Sequence, residues 1–242
     1  MTPVCAVKRK CEFSAAQATP VVFVVDDDFS VRESLEAMIT STGLRAETYA
    51  CAQDFLRRPR ALVPNCLVLD VMLPDLSGLH LQNLIASERT DTSIIFITSH
   101  SDVATTVRAM KAGAVEFLTK PFDDQVMLDA IQHAIERSRA ALREEAGMQS
   151  IRDRYASLTR REREVMTLVV TGLLNKQVGA ELGICEITVK IHRRQVMRKM
   201  KAGSLAELMG MAWKLHPNRT VNIHYDCPVD VPLFMSSKPK VV

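Results

Sequence analysis

The first half of the chain alternates between short apolar runs and longer amphipathic segments. Short runs, most of them rich in β-branched and aromatic residues, predict five strands, at 21–25, 45–49, 66–69, 94–97 and 115–118. Apolar residues at helical spacing follow the strands and predict helices between Ser30 and Gly43, at 52–57, at 79–87, at 103–112 and from near Asp123 onward. Strands that alternate with helices in this way predict an α/β fold with a doubly wound, five-stranded parallel sheet.

From residue 158 onward the pattern is purely helical. Thr159 and Glu162 form the signature of a capping box, which predicts a helix that begins at Arg160. A second helix is predicted at 176–182, and a third, basic helix follows a turn that contains Gly183. A helix, a glycine-containing turn and a basic helix together indicate an all-α helix-turn-helix domain.

Composition divides the chain into segments around these two domains. The stretch between them is rich in Ala, Arg and Glu, which favours a helical connector. We predict a disordered N-terminal arm at 1–19, the α/β domain at 20–140, a helical linker at 141–157 that is interrupted near Gly147, the helix-turn-helix domain at 158–216 and an irregular tail at 217–242.

Charge separates the two domains. Residues 20–142 contain 11 basic and 17 acidic residues, a net charge of −6, whereas residues 158–216 contain 11 basic and 5 acidic residues, a net charge of +6. The basic domain is suited to a polyanion such as DNA, and the acidic domain to a divalent cation. No apolar run approaches the roughly 20 residues that cross a bilayer, and no apolar segment follows the basic residues near the N-terminus, so we expect no membrane contact and a cytoplasmic location.

Charged and hydroxyl side chains follow four of the five predicted strands. Asp26 and Asp27 come after the first strand, Asp70 ends the third, Thr98 ends the fourth and Lys120 follows the fifth. Because the carboxyl ends of parallel strands meet at one edge of a sheet, we expect these side chains to lie close together. Clustered carboxylates repel one another, and Mg²⁺, which prefers oxygen ligands, would relieve that repulsion.

The residues alone leave more than one interpretation of Asp70 open. An isolated aspartate in this position often serves as a cap or turn residue, and Asp70 could also be held in a salt bridge with Lys120. A carboxylate beside a metal ion can instead attack phosphorus to give an acyl phosphate, while metal, ammonium and hydroxyl groups share the charge of the transferring phosphoryl group. We expect the salt bridge in the unphosphorylated state, so these two interpretations are compatible.

Two rival functions fit the sequence less well. A phosphatase of the haloacid dehalogenase type would need a second aspartate two positions after Asp70, where Met72 stands. A nucleotide-binding or flavin-binding domain would need a glycine-rich loop after the first strand, where three consecutive aspartates would repel a phosphate group.

Residues 21–140 resemble the receiver domain of two-component response regulators, which has a flavodoxin-like topology. The resemblance rests on the acidic pair after the first strand, the LDVMLPDLSG loop, the threonine after the fourth strand and the KPF turn after the fifth. It implies that Asp70 is the phosphoacceptor, that Thr98 and Lys120 contact the phosphoryl group and that Phe117 is an aromatic switch residue, although Phe117 by itself is equally consistent with a core position. The resemblance also implies four Mg²⁺ ligands, namely Asp26, Asp27, Asp70 and the backbone carbonyl of Met72.

Residues 158–216 resemble the LuxR-type C-terminal domain of the FixJ and NarL class of regulators. The resemblance is carried by the stretch LTRREREVMTLVVTGLLNKQVGAELGICEITVKIHRRQVMRKM. It implies that base edges are contacted by Lys190, Ile191 and Arg194. It implies that phosphates are contacted by Lys176, Thr188 and Arg198. A fourth helix at 205–215 would pair two such domains through an apolar face that is also partly core, formed by Leu205, Leu208, Met209 and Ala212.

Together the two resemblances imply a response regulator and not an enzyme. A sensor histidine kinase would phosphorylate Asp70, after which the protein would form a homodimer and bind double-stranded promoter DNA. Such a switch works by population shift, because phosphorylation favours one of two receiver states. Activation of transcription, with RNA polymerase as an expected partner, is favoured over repression by the resemblance.

Overall fold

The computed structural model describes residues 18–60, 62–100 and 102–215. The chain forms two compact units, and the boundary between them lies between Ser150 and Ile151. Most of the predicted N-terminal arm, up to residue 17, and the whole predicted tail at 217–242 lie outside the described residues. None of the helices in the described ranges combines the length and apolar composition that a bilayer span requires.

The first unit contains the predicted sheet. Its five strands are β1 (Val21–Val25), β2 (Arg45–Tyr49), β3 (Asn65–Asp70), β4 (Ser93–Thr98) and β5 (Glu116–Thr119). All neighbouring strands are parallel and follow the order β2-β1-β3-β4-β5. The α/β, doubly wound, five-stranded parallel fold is therefore confirmed. The strand β5 begins and ends one residue later than the sequence pattern predicts.

Helices cover both faces of this sheet. They are α1 (Phe29–Ser41), α2 (Ala52–Arg57), α3 (Gly78–Glu88), α4 (Val103–Lys111) and α5 (Asp124–Ala156). On one face, Val22 and Val24 of β1 pack in a core with side chains of α1 and α5, such as Ile39 and Ile131. On the other face, a second core joins the sheet to helices α2, α3 and α4. Because both faces are covered, β1, β3 and β4 are buried throughout.

The sheet order creates a crevice at its carboxyl edge. The chain passes from β1 outward to β2 and then returns to β3 on the other side of β1. The loops after β1 and β3 therefore diverge, and this is the position at which open parallel sheets hold ligands. Asp26 follows β1 and Asp70 is the last residue of β3, so the topology brings both carboxylates to this crevice.

Two local predictions were wrong. The cap of α1 is Asp28 and not Ser30, because the Asp28 carboxylate accepts a hydrogen bond from the Ser30 amide at 2.8 Å. The helix α5 also runs through Gly147 without the predicted interruption. A single glycine costs a helix only about 1 kcal/mol relative to alanine, and strong helix formers such as Glu145 and Ala146 surround it.

The second unit is a small helical bundle. Its helices are α6 (Arg160–Val169), α7 (Asn175–Leu182), α8 (Glu186–Met200) and α9 (Leu205–Leu215). The predicted capping box is present at the start of α6: the Thr159 amide donates to the Glu162 carboxylate at 2.7 Å, and the Thr159 hydroxyl accepts from the Glu162 amide at 3.3 Å. The fully buried core side chains of the bundle include Val165, Val178, Val189, Met200 and Leu208.

Candidate functional site

Three carboxylates meet in the crevice between β1 and β3. Asp26, Asp27 and Asp70 each offer an oxygen atom, and these atoms all lie within 4.8 Å of one another. Asp26 is fully buried, Asp70 is only 6% exposed and Asp27 is open to solvent. Oxygen atoms from several carboxylates at one open-sided site suit Mg²⁺, which keeps part of its water shell when it binds protein. The donor set therefore fits the predicted cation.

The ammonium group of Lys120 joins two of these carboxylates. Its Nζ atom lies 2.7 Å from Oδ2 of Asp70 and 2.6 Å from Oδ2 of Asp26. The expected salt bridge to Asp70 is therefore present, whereas the salt bridge to Asp26 was not predicted. Burial by itself would lower the pKa of Lys120, but the hydrogen bonds and charges of Asp26 and Asp70 outweigh it and raise that pKa. Lys120 is therefore a permanent cation in this site.

The turn after β1 is held by contacts to Asp26. Burial raises the pKa of the Asp26 carboxyl above its ordinary value, although the hydrogen bonds from Lys120 and from the Asp28 amide oppose that shift. The guanidinium of Arg32 donates to the backbone carbonyl of Asp26 at 2.7 Å. Sequence reasoning missed Arg32, and the only available signal was its position in the first turn of α1, close after the acidic run.

The loop after β3 is fixed at both ends. The Met72 amide donates to the Asp70 carboxylate at 2.9 Å, and the Gly78 amide donates to the Val71 carbonyl at 3.0 Å. A Cβ atom at Gly78 would lie 2.4 Å from the backbone oxygen of Asp70, so only glycine fits where the loop enters α3. The Met72 side chain is 70% exposed, so its predicted role depends on its backbone carbonyl.

Asp75 ties the same loop to helix α2. Its carboxylate accepts hydrogen bonds from the amides of Ala52 at 3.3 Å and Gln53 at 3.0 Å. Burial opposes the shift, but these amides outweigh it and hold the pKa of Asp75 below its ordinary value. The residue before α2, Cys51, provides no side-chain cap, so Asp75 supplies one from a distant part of the chain. Sequence reasoning missed this role.

Thr98 ends β4 at the carboxyl edge of the sheet, whereas Phe117 lies two residues before the end of β5. The buried hydroxyl of Thr98 donates to the His100 carbonyl at 3.0 Å and accepts from the His100 amide at 3.2 Å. The backbone amide of Lys120 donates to the Thr98 carbonyl at 2.8 Å, which joins the ends of β4 and β5. The half-buried ring of Phe117 packs against Phe96, with the ring centroids 6.0 Å apart.

In the second unit, α7 and α8 form a compact helix-turn-helix. Gly183 ends α7 with φ of +64°, a left-handed conformation that favours glycine. A Cβ atom at Gly179 would lie 2.7 Å from the Ile184 carbonyl oxygen, so glycine allows the turn to pack closely on α7. Arg193 of α8 donates to the Asn175 side chain of α7 at 3.1 Å. These contacts fix the angle at which α8 leaves the turn.

Most of the predicted DNA contacts lie on the surface of this motif. The exposed members are Lys176, Lys190, Ile191, Arg194 and Arg198. Thr188 is half-buried, and its hydroxyl lies 3.0 Å from the Cys185 sulfur. The ammonium of Lys190 forms an ion pair with Glu186 at 2.9 Å. An α-helix turns by about 100° per residue, which places Ile191, Arg194 and Arg198 on the side of α8 opposite the buried Val189.

The prediction that Leu208 pairs two domains needs correction. Leu208 is fully buried within its own bundle, so its side chain is not available to a second copy. Leu205 and Ala212 are half-buried and also pack against this core. The surface of α9 instead presents Met209, which is 44% exposed, and Trp213, which is 61% exposed. Helical spacing identified the apolar face, but it could not separate core positions from surface positions.

Both units match known protein families. Residues 22–132 match the family model described as "Response regulator receiver domain", and residues 156–212 match the model described as "Bacterial regulatory proteins, luxR family". Nodulation protein W of Bradyrhizobium diazoefficiens is 49% identical over 81% of this chain and 87% of its own length. Transcriptional regulatory protein FixJ of Azorhizobium caulinodans is 41% identical over 79% of this chain and 90% of its own length.

A solved structure resembles the described chain as well. The structure of response regulator StyR is 45% identical in sequence, covers 81% of this chain and 100% of its own chain, and superposes with a TM-score of 0.72. FixJ is described as a transcriptional regulatory protein and StyR as a response regulator, and none of the three relatives is described as an enzyme.

Proposed function

This chain belongs to the two-component response regulators that join a receiver domain to a LuxR-type DNA-binding domain, and from that premise we propose that it is controlled by phosphorylation of Asp70. Membership implies a transcriptional regulator with a kinase partner and DNA as its target, and not an enzyme. The observation that supports the proposal most directly is the contact between the Asp70 carboxylate and the Lys120 ammonium at the rim of the sheet.

Mg²⁺ is the cofactor in this proposal. Receiver domains generally bind Mg²⁺ in an acidic pocket, and the proposed ligands are the carboxylates of Asp26, Asp27 and Asp70 with the backbone carbonyl of Met72. When bound, the ion would shield the phosphoryl oxygens from the clustered carboxylates and polarise the phosphorus. The position of Asp26 supports this assignment, because its buried carboxylate offers an oxygen within 4.8 Å of oxygens from both Asp27 and Asp70.

The proposed chemistry is transfer of a phosphoryl group from a histidine of a sensor kinase. An oxygen of Asp70 attacks phosphorus, an O–P bond forms, and the N–P bond to the kinase histidine breaks. Lys120 already lies 2.7 Å from Asp70, so its ammonium can contact the phosphoryl oxygens, where negative charge develops, without a large movement. The Thr98 hydroxyl would then exchange the His100 carbonyl for a phosphoryl oxygen, and Phe117 would turn inward.

The proposed output is binding of promoter DNA in the cytoplasm, where the chromosome lies. Helix α8 enters the major groove, where Lys190, Ile191 and Arg194 contact base edges. Phosphates are contacted by Lys176, Thr188 and Arg198. Lys176 lies in the first turn of α7, which contains no acidic residue, and a phosphate there would balance both the lysine and the helix dipole.

Phosphorylation is proposed to favour a homodimer that binds paired half-sites and activates transcription with RNA polymerase. A symmetric dimer makes twice as many contacts to DNA as a monomer and therefore binds more tightly. A shift of the receiver toward the dimer-forming state would thus raise the fraction of promoters that are occupied. In the DNA-binding domain, the exposed Met209 on α9 is the one member of the predicted pairing set that is well placed for such an interface.

Phosphorylation of the full-length chain tests the proposal. Acetyl phosphate and Mg²⁺ should add one phosphoryl group to the wild-type protein, as measured by intact mass. The Asp70→Asn variant should remain unmodified, whereas Asp54→Asn, which changes an exposed aspartate on α2, should react like the wild type. Equal modification of the Asp70→Asn variant, or a wild-type protein that accepts no phosphoryl group, would refute the assignment of Asp70.

A further inference from the structure

The exposed face of α8 is centred on two isoleucines. Ile187 is 70% exposed and Ile191 is 56% exposed, so both large apolar side chains face solvent in the bundle. They are four residues apart, so they are neighbours along one face of the helix. The core of the bundle lies on the opposite face, where Val189, Val196 and Met200 are buried. The isoleucines therefore form a surface stripe, and not an edge of the core.

Basic side chains surround this stripe. Lys190, Arg194 and Arg198 are exposed, and the helical rotation of about 100° per residue places all three within the same third of the helix circumference as Ile187 and Ile191. Single exposed apolar residues are common and need no explanation, but two neighbouring ones on a positively charged helix face are unusual. The partner of this face must carry negative charge and also present small apolar groups.

The major groove of B-DNA has both properties. It is about 12 Å wide, accepts an α-helix between two lines of phosphates, and displays the 5-methyl group of thymine as its apolar feature. The residues near the N-terminus of a recognition helix approach the base edges most closely. Ile187 and Ile191 belong to the first two turns of α8, whereas Arg198 lies in its last turn.

We infer that Ile187 and Ile191 contact thymine methyl groups in the major groove and thereby set part of the sequence specificity of the half-site. The inference rests on the proposed function and deepens it. Ile187 has no role in the LuxR-type resemblance as carried onto this chain, and Ile191 was assigned only a general base contact. Ile191 and Arg194 are about 4.5 Å apart along the helix axis, so the thymine that Ile191 contacts lies within about two base steps of the base that Arg194 contacts.

Replacing thymine with uracil removes only the methyl group, which gives a direct test. Phosphorylated full-length protein is used to select duplexes from a random-sequence pool that contains thymine, and each thymine of the selected duplex is then replaced singly by uracil. We expect two positions at which uracil weakens binding by about fourfold, the effect of one buried methyl group. Ile187→Ala should abolish the effect at one of these positions, and Ile191→Ala at the other.

Controls separate this contact from general effects on folding or affinity. Ile187→Val keeps a branched side chain and should retain most of the discrimination, and Val103→Ala, which shortens an 81% exposed side chain on α4, should change nothing. Equal binding of thymine and uracil duplexes by the wild type would overturn the inference and leave the proposed function intact. Tighter DNA binding by the alanine variants, with no methyl effect, would also overturn it, because the stripe would then serve another partner. A protein that selects no duplex from the random-sequence pool, with or without phosphorylation, would refute the proposed function itself.

Discussion

The Nζ atom of Lys120 lies 2.7 Å from a carboxylate oxygen of Asp70. The same atom lies 2.6 Å from the fully buried carboxylate of Asp26, so one ammonium group compensates two acidic groups from different strands. This arrangement reduces the repulsion between the two carboxylates, and it places a positive charge beside the proposed phosphoacceptor.

Removing that ammonium should destabilise the receiver. Lys120→Met leaves the carboxylates of Asp26 and Asp70 close together without a counter-charge, and we expect the free energy of unfolding in urea to fall by about 3 kcal/mol in magnesium-free buffer. Added Mg²⁺ should restore part of that loss. Lys111→Met, which changes an exposed lysine on α4, serves as the control. A Lys120→Met variant as stable as the control would show that the ion pairs contribute little.

Asp26 should make stability depend on pH. Its folded-state pKa lies above the ordinary value of 3.8 because the carboxyl is buried. The unfolded chain therefore loses this proton at a lower pH than the folded protein does, so ionisation of Asp26 reduces stability as pH rises above 3.8, and the reduction persists at neutral pH.

The Asp26→Asn variant isolates this effect. It should be more stable than the wild type at pH 7 in the absence of Mg²⁺, and the difference in free energy of unfolding should shrink as the pH falls toward 3.8. Asp54→Asn provides a comparison at an exposed site. A difference in the free energy of unfolding that stays constant between pH 7 and pH 3.8 would show that ionisation of Asp26 does not cause it.

Asp75 should support magnesium binding without touching the ion. Its carboxylate accepts hydrogen bonds from the amides of Ala52 and Gln53. These bonds anchor the loop after β3, which contains the Met72 carbonyl. Asp75→Ala should weaken Mg²⁺ binding, measured by calorimetry, by about tenfold, as is typical when a group that supports a metal ligand is lost. Asp75→Asn keeps an acceptor oxygen and should retain most of the affinity. Equal Mg²⁺ affinities in the wild type and Asp75→Ala would show that the hydrogen bonds of Asp75 do not support the metal site.

Two arginines of α8 should have different effects on DNA binding. Arg194 lies on the exposed face near the middle of the helix and is assigned to a base edge, whereas Arg198 lies in the last turn and is assigned to a phosphate. Arg194→Ala should reduce the ratio of specific to random-duplex affinity, because base contacts provide discrimination. Arg198→Ala should weaken both affinities alike and flatten their salt dependence. Equal loss on both duplexes for both variants would refute the assignment.

The sequence was sufficient for the sheet and for the residues at its edge. Asp26, Asp70 and Lys120 each lie within two residues of the end of a predicted strand, and parallel topology then brings them together. The salt bridge between Lys120 and Asp26 depends on how far the two side chains extend across the crevice, and strand positions do not define that. The contact of Asp75 with the amide of Gln53 joins residues 22 apart in the chain, so no local pattern could indicate it.

The wrong local predictions share a different cause. At the start of α1, Asp28 and Ser30 are both good capping residues, and only the backbone conformation decides between them. On α9, the same apolar spacing includes the buried Leu208 and the exposed Met209. Periodicity defines a face of a helix, but the neighbouring helices decide which part of that face they cover.

Coupling between Asp70 and DNA binding is the central claim, and one affinity measurement tests it most directly. The full-length protein is titrated onto a selected duplex in the presence of Mg²⁺, with and without acetyl phosphate, for the wild type and for Asp70→Asn. Acetyl phosphate should tighten binding by the wild type about tenfold, within the usual range of allosteric coupling, and leave Asp70→Asn unchanged. The same increase in both proteins, or no increase in the wild type, would contradict the account.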